Sequence, residues 1–286
     1  MPARAFSFCR AKRGNQSEFC SKKVRASFSN CGLFILKSIV KKLPKYDYIY
    51  LGDTKRLPYG NRSQATIYEF TKEAVEYLFK NNCQIIILVC NSVSAQVLRK
   101  IQREYLPKRY PGRSVLGVIV PTAEAVGGDN KMDRVGILAT ASTVGSKVYE
   151  KEIKKINPGV KIFQQAASLL VPLIENDGIK WAESILRHYL ASLLRKKVDT
   201  IVLGCTHYPI LKNKIKKNAG RGVKIISQDE IIPEKLADYL KRHPEIDKKL
   251  AKNKRREFLV TDLTVNFQKT AKKWFGKDIK LRQIDL

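Results

Sequence analysis

Two stretches place a cysteine at the end of an apolar run with hydrogen-bonding side chains directly after it: Gln84-Ile-Ile-Ile-Leu-Val-Cys90-Asn91-Ser92 and Thr200-Ile-Val-Leu-Gly-Cys205-Thr206-His207. A thiol has an unperturbed pKa of about 8.5 that nearby donors tune toward neutrality, so a cysteine in such surroundings can take up and release a proton. One cysteine after a strand reads first as a small buried hydrophobe. Two in matched settings, 115 residues apart, read as a pair of functional groups, each supplied by one of two similar units. Taken alone, His207 reads equally as a packing residue or as an assistant to the Cys205 thiol.

The elements that must hold these thiols follow from the hydrophobic pattern. From about residue 32, short apolar runs alternate with amphipathic stretches, the signature of an α/β fold with a largely parallel sheet. Strands are expected at 48–51, 84–89, 117–120, 135–139, 160–163, 200–203 and 223–226. Between them, 66–80 carries Ile67, Phe70, Ala74 and Leu78 on one face, and 179–196 carries Trp181, Ile185, His188 and Tyr189. His188 reads as a surface or packing residue of that helix. In parallel sheets ligands bind beyond the carboxyl ends of the strands, which is where both cysteines fall.

Composition narrows the class. The 44% hydrophobic content over 286 residues suits a globular core. The longest apolar stretches, 85–89 and 115–120, fall far short of the roughly 20 residues that span a bilayer, so a soluble protein with no membrane contact is expected. Lysine and arginine number 55 against 26 acids, a formal charge of +29. Lys-rich helical stretches spread that charge without a nucleic-acid motif, and a solvated basic face is the first reading, with non-specific polyanion binding as the second. Six cysteines, at 9, 20, 31, 83, 90 and 205, form no CxxC pair, which argues against a zinc site, and the chain's size argues against a disulfide framework. A reducing, cytoplasmic setting is expected. Residues 1–31 stand apart: they hold three of the cysteines, several arginines and only Glu18 as an acid.

Six motifs occur in order: Tyr50-Leu-Gly-Asp53-Thr54 running to Pro58-Tyr59-Gly60, Cys90-Asn91-Ser92, Gly117-Val-Ile-Val-Pro121-Thr122, Gly136-Ile-Leu-Ala-Thr140 with Thr143 and Tyr149, Val171-Pro172-Leu173-Ile-Glu175, and Gly204-Cys205-Thr206-His207-Tyr208-Pro209. Together they resemble the glutamate racemases of the aspartate/glutamate racemase superfamily, from about Gly32 to Ile226. The resemblance implies two pseudo-symmetric α/β domains with mainly parallel sheets and an active site in the interdomain cleft. Residues 32–120 with 229–286 would form the first domain and 121–228 the second, leaving 1–31 as an atypical basic segment. It also implies a cofactor-independent, metal-free isomerase that interconverts L- and D-glutamate for peptidoglycan synthesis, with a homodimer open as its assembly. Aspartate or another amino acid is the alternative substrate, and a catalytically impaired polyanion-binding relative the alternative class.

By that resemblance Cys90 takes the α-proton of D-glutamate and Cys205 that of L-glutamate, with His207 beside Cys205. Two such groups on opposite faces are the minimum for racemisation, because one removes a proton and the other returns one. Tyr59, Gly60, Asn91, Ser92, Thr140, Thr143 and Thr206 would bind substrate, although Thr140 and Thr143 also read as a helix cap. Asp53 and Glu175 read evenly as assisting or structural acids. The family's Phe-Asp-Ser loop is not reproduced: Ser27 stands where the assisting Asp belongs, and Phe28 where the Ser belongs. Its later Ile-Asp-Ser pattern appears as Ile226-Ser227-Gln228.

Overall fold

The computed structural model describes residues 32–286 and the backbone of 23–26. Among the described residues ten strands form two sheets: β1 (Lys23–Ala26), β2 (Tyr48–Gly52), β3 (Cys83–Leu88), β4 (Ser114–Gly117), β5 (Arg134–Ala139), β6 (Lys161–Ala166), β7 (Thr200–Gly204), β8 (Lys224–Ile226), β9 (Arg256–Val260) and β10 (Leu281–Gln283). The six-stranded sheet runs β10-β9-β2-β1-β3-β4, and the four-stranded sheet β6-β5-β7-β8. Every pairing is parallel. The order β2-β1-β3-β4 therefore recurs as β6-β5-β7-β8, with β9 and β10 added outside β2. This repeat makes β3 and β7 equivalent strands, as the likeness of their sequences suggests.

Alternation along each central strand sends side chains to two different cores. Ile85 and Ile87 of β3 share an apolar cluster with Ile201 and Leu203 of β7, so one core joins both sheets. The opposite faces, with Ile86 and Leu88 on β3 and Val202 on β7, pack into separate outer clusters. Parallel strands covered on both faces read as unbroken apolar runs; all five residues of β2 and of β7 are buried. The helix Gln64–Lys80 starts at Ser63, whose hydroxyl accepts from the Thr66 amide, and buries Ile67, Ala74 and Leu78 as its spacing predicts. Among the described residues no helix is long and apolar enough to cross a membrane.

The structure differs from the sequence reading in three places. The strand expected at 117–120 ends at Gly117, and Ile119–Gly127 is a helix. A short apolar run does not by itself separate a strand from a buried helix, and Pro121 sits in the first helical turn, where its missing N–H costs nothing. Strands β9 and β10 were not anticipated, since Arg256-Glu257-Phe258 begins with two charges and Leu281–Gln283 is a three-residue edge. Lys23–Ala26, within the segment set apart as atypical, pairs with both β2 and β3 inside the first sheet, so that unit begins no later than Lys23.

Close packing against β5 constrains the residue that precedes Cys205. A Cβ on Gly204 would lie 3.0 Å from the Ala139 Cβ and 3.2 Å from the Tyr149 ring. Gly204→Ala is expected to destabilise the fold by about 1–3 kcal/mol through overpacking. Gly222→Ala, where nothing lies within 4 Å, is expected to stay within about 0.5 kcal/mol of wild type in the same denaturant titration. Equal stabilities for the two variants would refute the packing account.

Candidate active site

Cys205 directly follows β7, and Cys90 lies two residues beyond β3. In each sheet the chain passes to opposite sides of one strand, β1 or β5, and the switch points so created fall at β1/β3 and β5/β7. Crevices at such points are the usual ligand sites of parallel sheets. Here both open onto one cleft of about 660 Å³ including its mouth, lined by residues 57–61, 90–92, Thr140, Ala141, Ser168, Val171, Pro172, Glu175 and 205–207. Among the described residues no lysine or arginine lines it. Polar contacts with an anion therefore fall to hydroxyls and to the amides at helix starts, where unpaired N–H groups carry partial positive charge. The helices Asn91–Gln96 and Ala141–Ser146 both begin here.

An imidazole and a carboxylate stand in line behind the Cys205 thiol. Its Sγ lies 3.6 Å from Nδ1 of His207, whose Nε2 lies 2.9 Å from Oε1 of Glu175. A carboxylate at Nε2 holds the proton there, which leaves Nδ1 free to accept the thiol proton and stabilises the imidazolium that results. The Trp274 ring stands edge-on to this imidazole, at 6.4 Å and 90°. Glu175 ends the helix Leu170–Glu175, so the cleft-lining Val171-Pro172 turn also delivers the acid.

Cys90 is held differently. It is the N-cap of the helix Asn91–Gln96 with extended backbone (φ −150°, ψ 123°), and its sulfur makes no capping hydrogen bond. Burial is the largest influence and pushes the thiol up to about 11; the amides and His207 pull it down, and Cys205 pushes it up. The helix start and His207 thus offset only part of the burial penalty at Cys90, whereas the Cys205 sulfur has an imidazole nitrogen 3.6 Å away.

Of the residues singled out by sequence, Tyr59, Gly60, Cys90, Asn91, Ser92, Thr140, Glu175, Cys205, Thr206 and His207 line this one cleft. Thr143 does not. It is fully buried behind Thr140, whose hydroxyl accepts from the Thr143 amide at 3.3 Å and lies 3.1 Å from Ser92 Oγ, so the capping role expected as an alternative is present. Asp53 also lies off the cleft: fully buried, it accepts from the Tyr59 hydroxyl and, at 2.9 Å, from Thr261. The Tyr59 phenol is thereby turned away from any ligand, and burial beside this carboxylate holds its proton firmly. The Asn91 amide pairs with Gln228 and accepts from Tyr149. Ser27 lies outside the described residues. Sequence reasoning missed Ser168 and Asn61 in the lining, and Gln228 behind it; the unusual Ser227-Gln228 pair was the only signal for the last. Among the described residues no group of three or more His, Cys, Asp or Glu could hold a metal ion.

Burial of Cys90 has a measurable consequence. Followed by peptide mass spectrometry, iodoacetamide alkylation of Cys90 is expected to climb about tenfold per pH unit between pH 8 and 10, because only the thiolate reacts, and to level off near pH 11. A plateau reached by about pH 9, the behaviour of a free thiol, would show that burial does not govern it.

The chain matches known proteins over most of its length. The family model described as Asp/Glu/Hydantoin racemase matches residues 29–231. A glutamate racemase of Ruegeria sp. (strain TM1040) is 37% identical over 227 residues, covering 75% of this chain and 83% of that protein. The structure of glutamate racemase isoform RacE1 from Bacillus anthracis superposes with a TM-score of 0.84 at 30% identity, covering 94% of this chain and 99% of that one. Glutamate racemase from Francisella tularensis in complex with D-glutamate gives 0.81 at 29%, covering 92% and 98%. With the two thiols at equivalent strand ends and the family match spanning both, the chain is an amino-acid racemase belonging to the Asp/Glu/hydantoin racemase family.

Proposed function

We propose that this protein interconverts L- and D-glutamate by moving the α-proton between Cys90 and Cys205, without a cofactor. The observation that carries the reading is the placement of these two thiols, from equivalent strands of two sheets, on a single cleft. In one direction the Cys205 thiolate removes the α-proton of L-glutamate and becomes a thiol, while the Cys90 thiol gives its proton to the opposite face and becomes a thiolate. The D-to-L direction reverses both transfers. The carbanion formed between them is stabilised electrostatically, by hydroxyls and amides already aimed at the substrate carboxylate, in a site that need not reorganise. Thr206, Ser92 and Thr140, with the amides that begin the helix after Cys90, are the groups we assign to the head group and carboxylates. His207 and Glu175 support the Cys205 thiolate by exchanging its proton.

Glutamate is preferred to aspartate because curated relatives over most of the chain are named glutamate racemase. The resemblance further implies cytoplasmic action and supply of D-glutamate to peptidoglycan synthesis. We take the polypeptide as two units, residues 121–228 forming one and 32–120 with 229–286, joined by β1, the other.

Deuterium incorporation at the α-carbon in heavy water tests the reading. Wild type is expected to exchange and racemise both glutamate enantiomers and to leave aspartate essentially unchanged. Cys90→Ser and Cys205→Ser are each expected to lose racemisation by at least about 10²- to 10⁴-fold, the span of a lost acid/base group. A folded wild type without exchange would sink the proposal, and faster exchange of aspartate would reassign the substrate.

Glu175→Gln removes the charge that supports imidazolium while keeping the shape. Losing a hydrogen bond to a charged group is worth about 1.5–3 kcal/mol, so kcat is expected to fall about tenfold to a hundredfold. An unchanged kcat would remove Glu175 from the relay.

A further inference from the structure

A buried carboxylate stands behind residues 57–61, which form one lip of the cleft. Asp53 follows β2 and is fully buried. It precedes the short turn Thr54–Arg56, where an aspartate ordinarily caps the first amides, yet its side chain makes no capping bond. Among the described residues its oxygens are met from farther away. Oδ1 accepts from Thr261 Oγ1 at 2.9 Å, Oδ2 accepts from the Tyr59 hydroxyl, and Arg56 Nε lies 3.8 Å from Oδ2. A carboxylate taken out of water is costly to keep unless donors meet it, and hydroxyls that do so make short, strong bonds.

The two hydroxyls come from different elements, and one of them leads to the cleft. Thr261 directly follows β9. Its amide donates to the Gly52 carbonyl at 3.0 Å and its hydroxyl accepts from the Lys55 amide at 3.0 Å, so this side of the carboxylate belongs to the frame of the first sheet. Tyr59 begins the turn Tyr59–Asn61 within the lip. Its ring is 2% exposed and packs beside Phe70, with 6.1 Å between centroids. The next residue, Gly60, faces the start of the Ala141–Ser146 helix: a Cβ there would lie 3.8 Å from the Thr140 Cβ and 4.0 Å from Ser92 Oγ, two side chains assigned above to the substrate. Apolar packing is non-directional and by itself lets the Tyr59 ring slide along its long axis. A bond from the phenol to a fixed charge stops that slide, and with it the displacement of Gly60 relative to the two hydroxyls. A shift of about 1 Å in a positioning group is enough to cost much of its effect.

We propose that Asp53 is a positioning residue for substrate binding: anchored to the end of β9 through Thr261, it draws the Tyr59 hydroxyl inward and so sets how closely the lip approaches Ser92 and Thr140. The lip then meets an amino dicarboxylate already in place instead of ordering around it. The proposal rests on the reading of this cleft as the glutamate site.

Asp53→Asn keeps the shape and removes the charge. Tyr59→Phe breaks the same bond from its other end with the ring retained, and carries the test if Asp53→Asn does not fold. Each is expected to raise KM for glutamate about tenfold in both directions of turnover with kcat changed less than about threefold, the pattern of an interaction lost equally from ground state and transition state. The double variant should be no worse than the poorer single one, since the two side chains act through one bond. In hydrogen–deuterium exchange without substrate, the amides of 59–63 should exchange at least about threefold faster in each variant, while β2 and β9 keep wild-type rates.

An unchanged KM, or an unchanged exchange rate at the lip, in a folded variant would overturn the proposal. Additive rises in KM would do the same by giving Tyr59 a contact with substrate of its own. So would a parallel fall in kcat with faster exchange throughout β2 and β9, the signature of a general loss of stability. A folded wild type that does not racemise glutamate would refute the substrate reading, and exchange at the lip, which needs no turnover, would still decide whether Asp53 positions it.

Discussion

The apolar cluster shared by the two sheets, in which Ile85 and Ile87 of β3 and Ile201 and Leu203 of β7 are buried together, fixes how the two strand ends face one another. Interiors packed at crystal-like density do not deform continuously, so strands anchored in a common core hold the residues at their carboxyl ends at a set separation. Cys90 and Cys205 inherit their relation from that core. The close fit of Gly204 against β5 and the buried amides at Asn91 extend the same rigidity to the residues on either side of the thiols.

Equivalent backbone positions do not give equivalent surroundings. Cys205 has an imidazole and, behind it, a carboxylate, while Cys90 has the amides of its own helix start and a high affinity for its proton. The resemblance would supply a carboxylate on the Cys90 side as well, at the position filled here by Ser27. The two thiols thus sit in different surroundings, an imidazole beside one and the start of a short helix beside the other.

The large positive charge acts elsewhere. Among the described residues the cleft lining contains neither lysine nor arginine, and many basic side chains meet acids on the surface, as in Lys42 with Glu234, Lys224 with Asp129 and Arg242 with Asp238. Pairs so exposed contribute little to stability, about 0–1 kcal/mol each. The excess charge keeps the protein hydrated and shapes its long-range field.

The sequence by itself determined the parallel α/β character, most strand positions and the residues at the strand ends, because these depend on local periodicity and on the chemistry of single side chains. It also located the departures at Ser27 and at Ser227-Gln228. Only the tertiary structure decided which polar side chains face the cleft. Asp53 and Thr143 carry motifs that look functional, yet each spends its hydrogen bonds inside the protein, on Tyr59 and Thr140. The Asn91 amide lies against Gln228, a residue 137 positions away that no local pattern pairs with it. Strand β1 was hidden for a related reason: Lys23-Val-Arg-Ala has the composition of a charged tail, and its place between β2 and β3 is set by two neighbours far along the chain. A buried polar group takes whichever partner the fold brings to it, and that choice is made by long-range packing that no local pattern records.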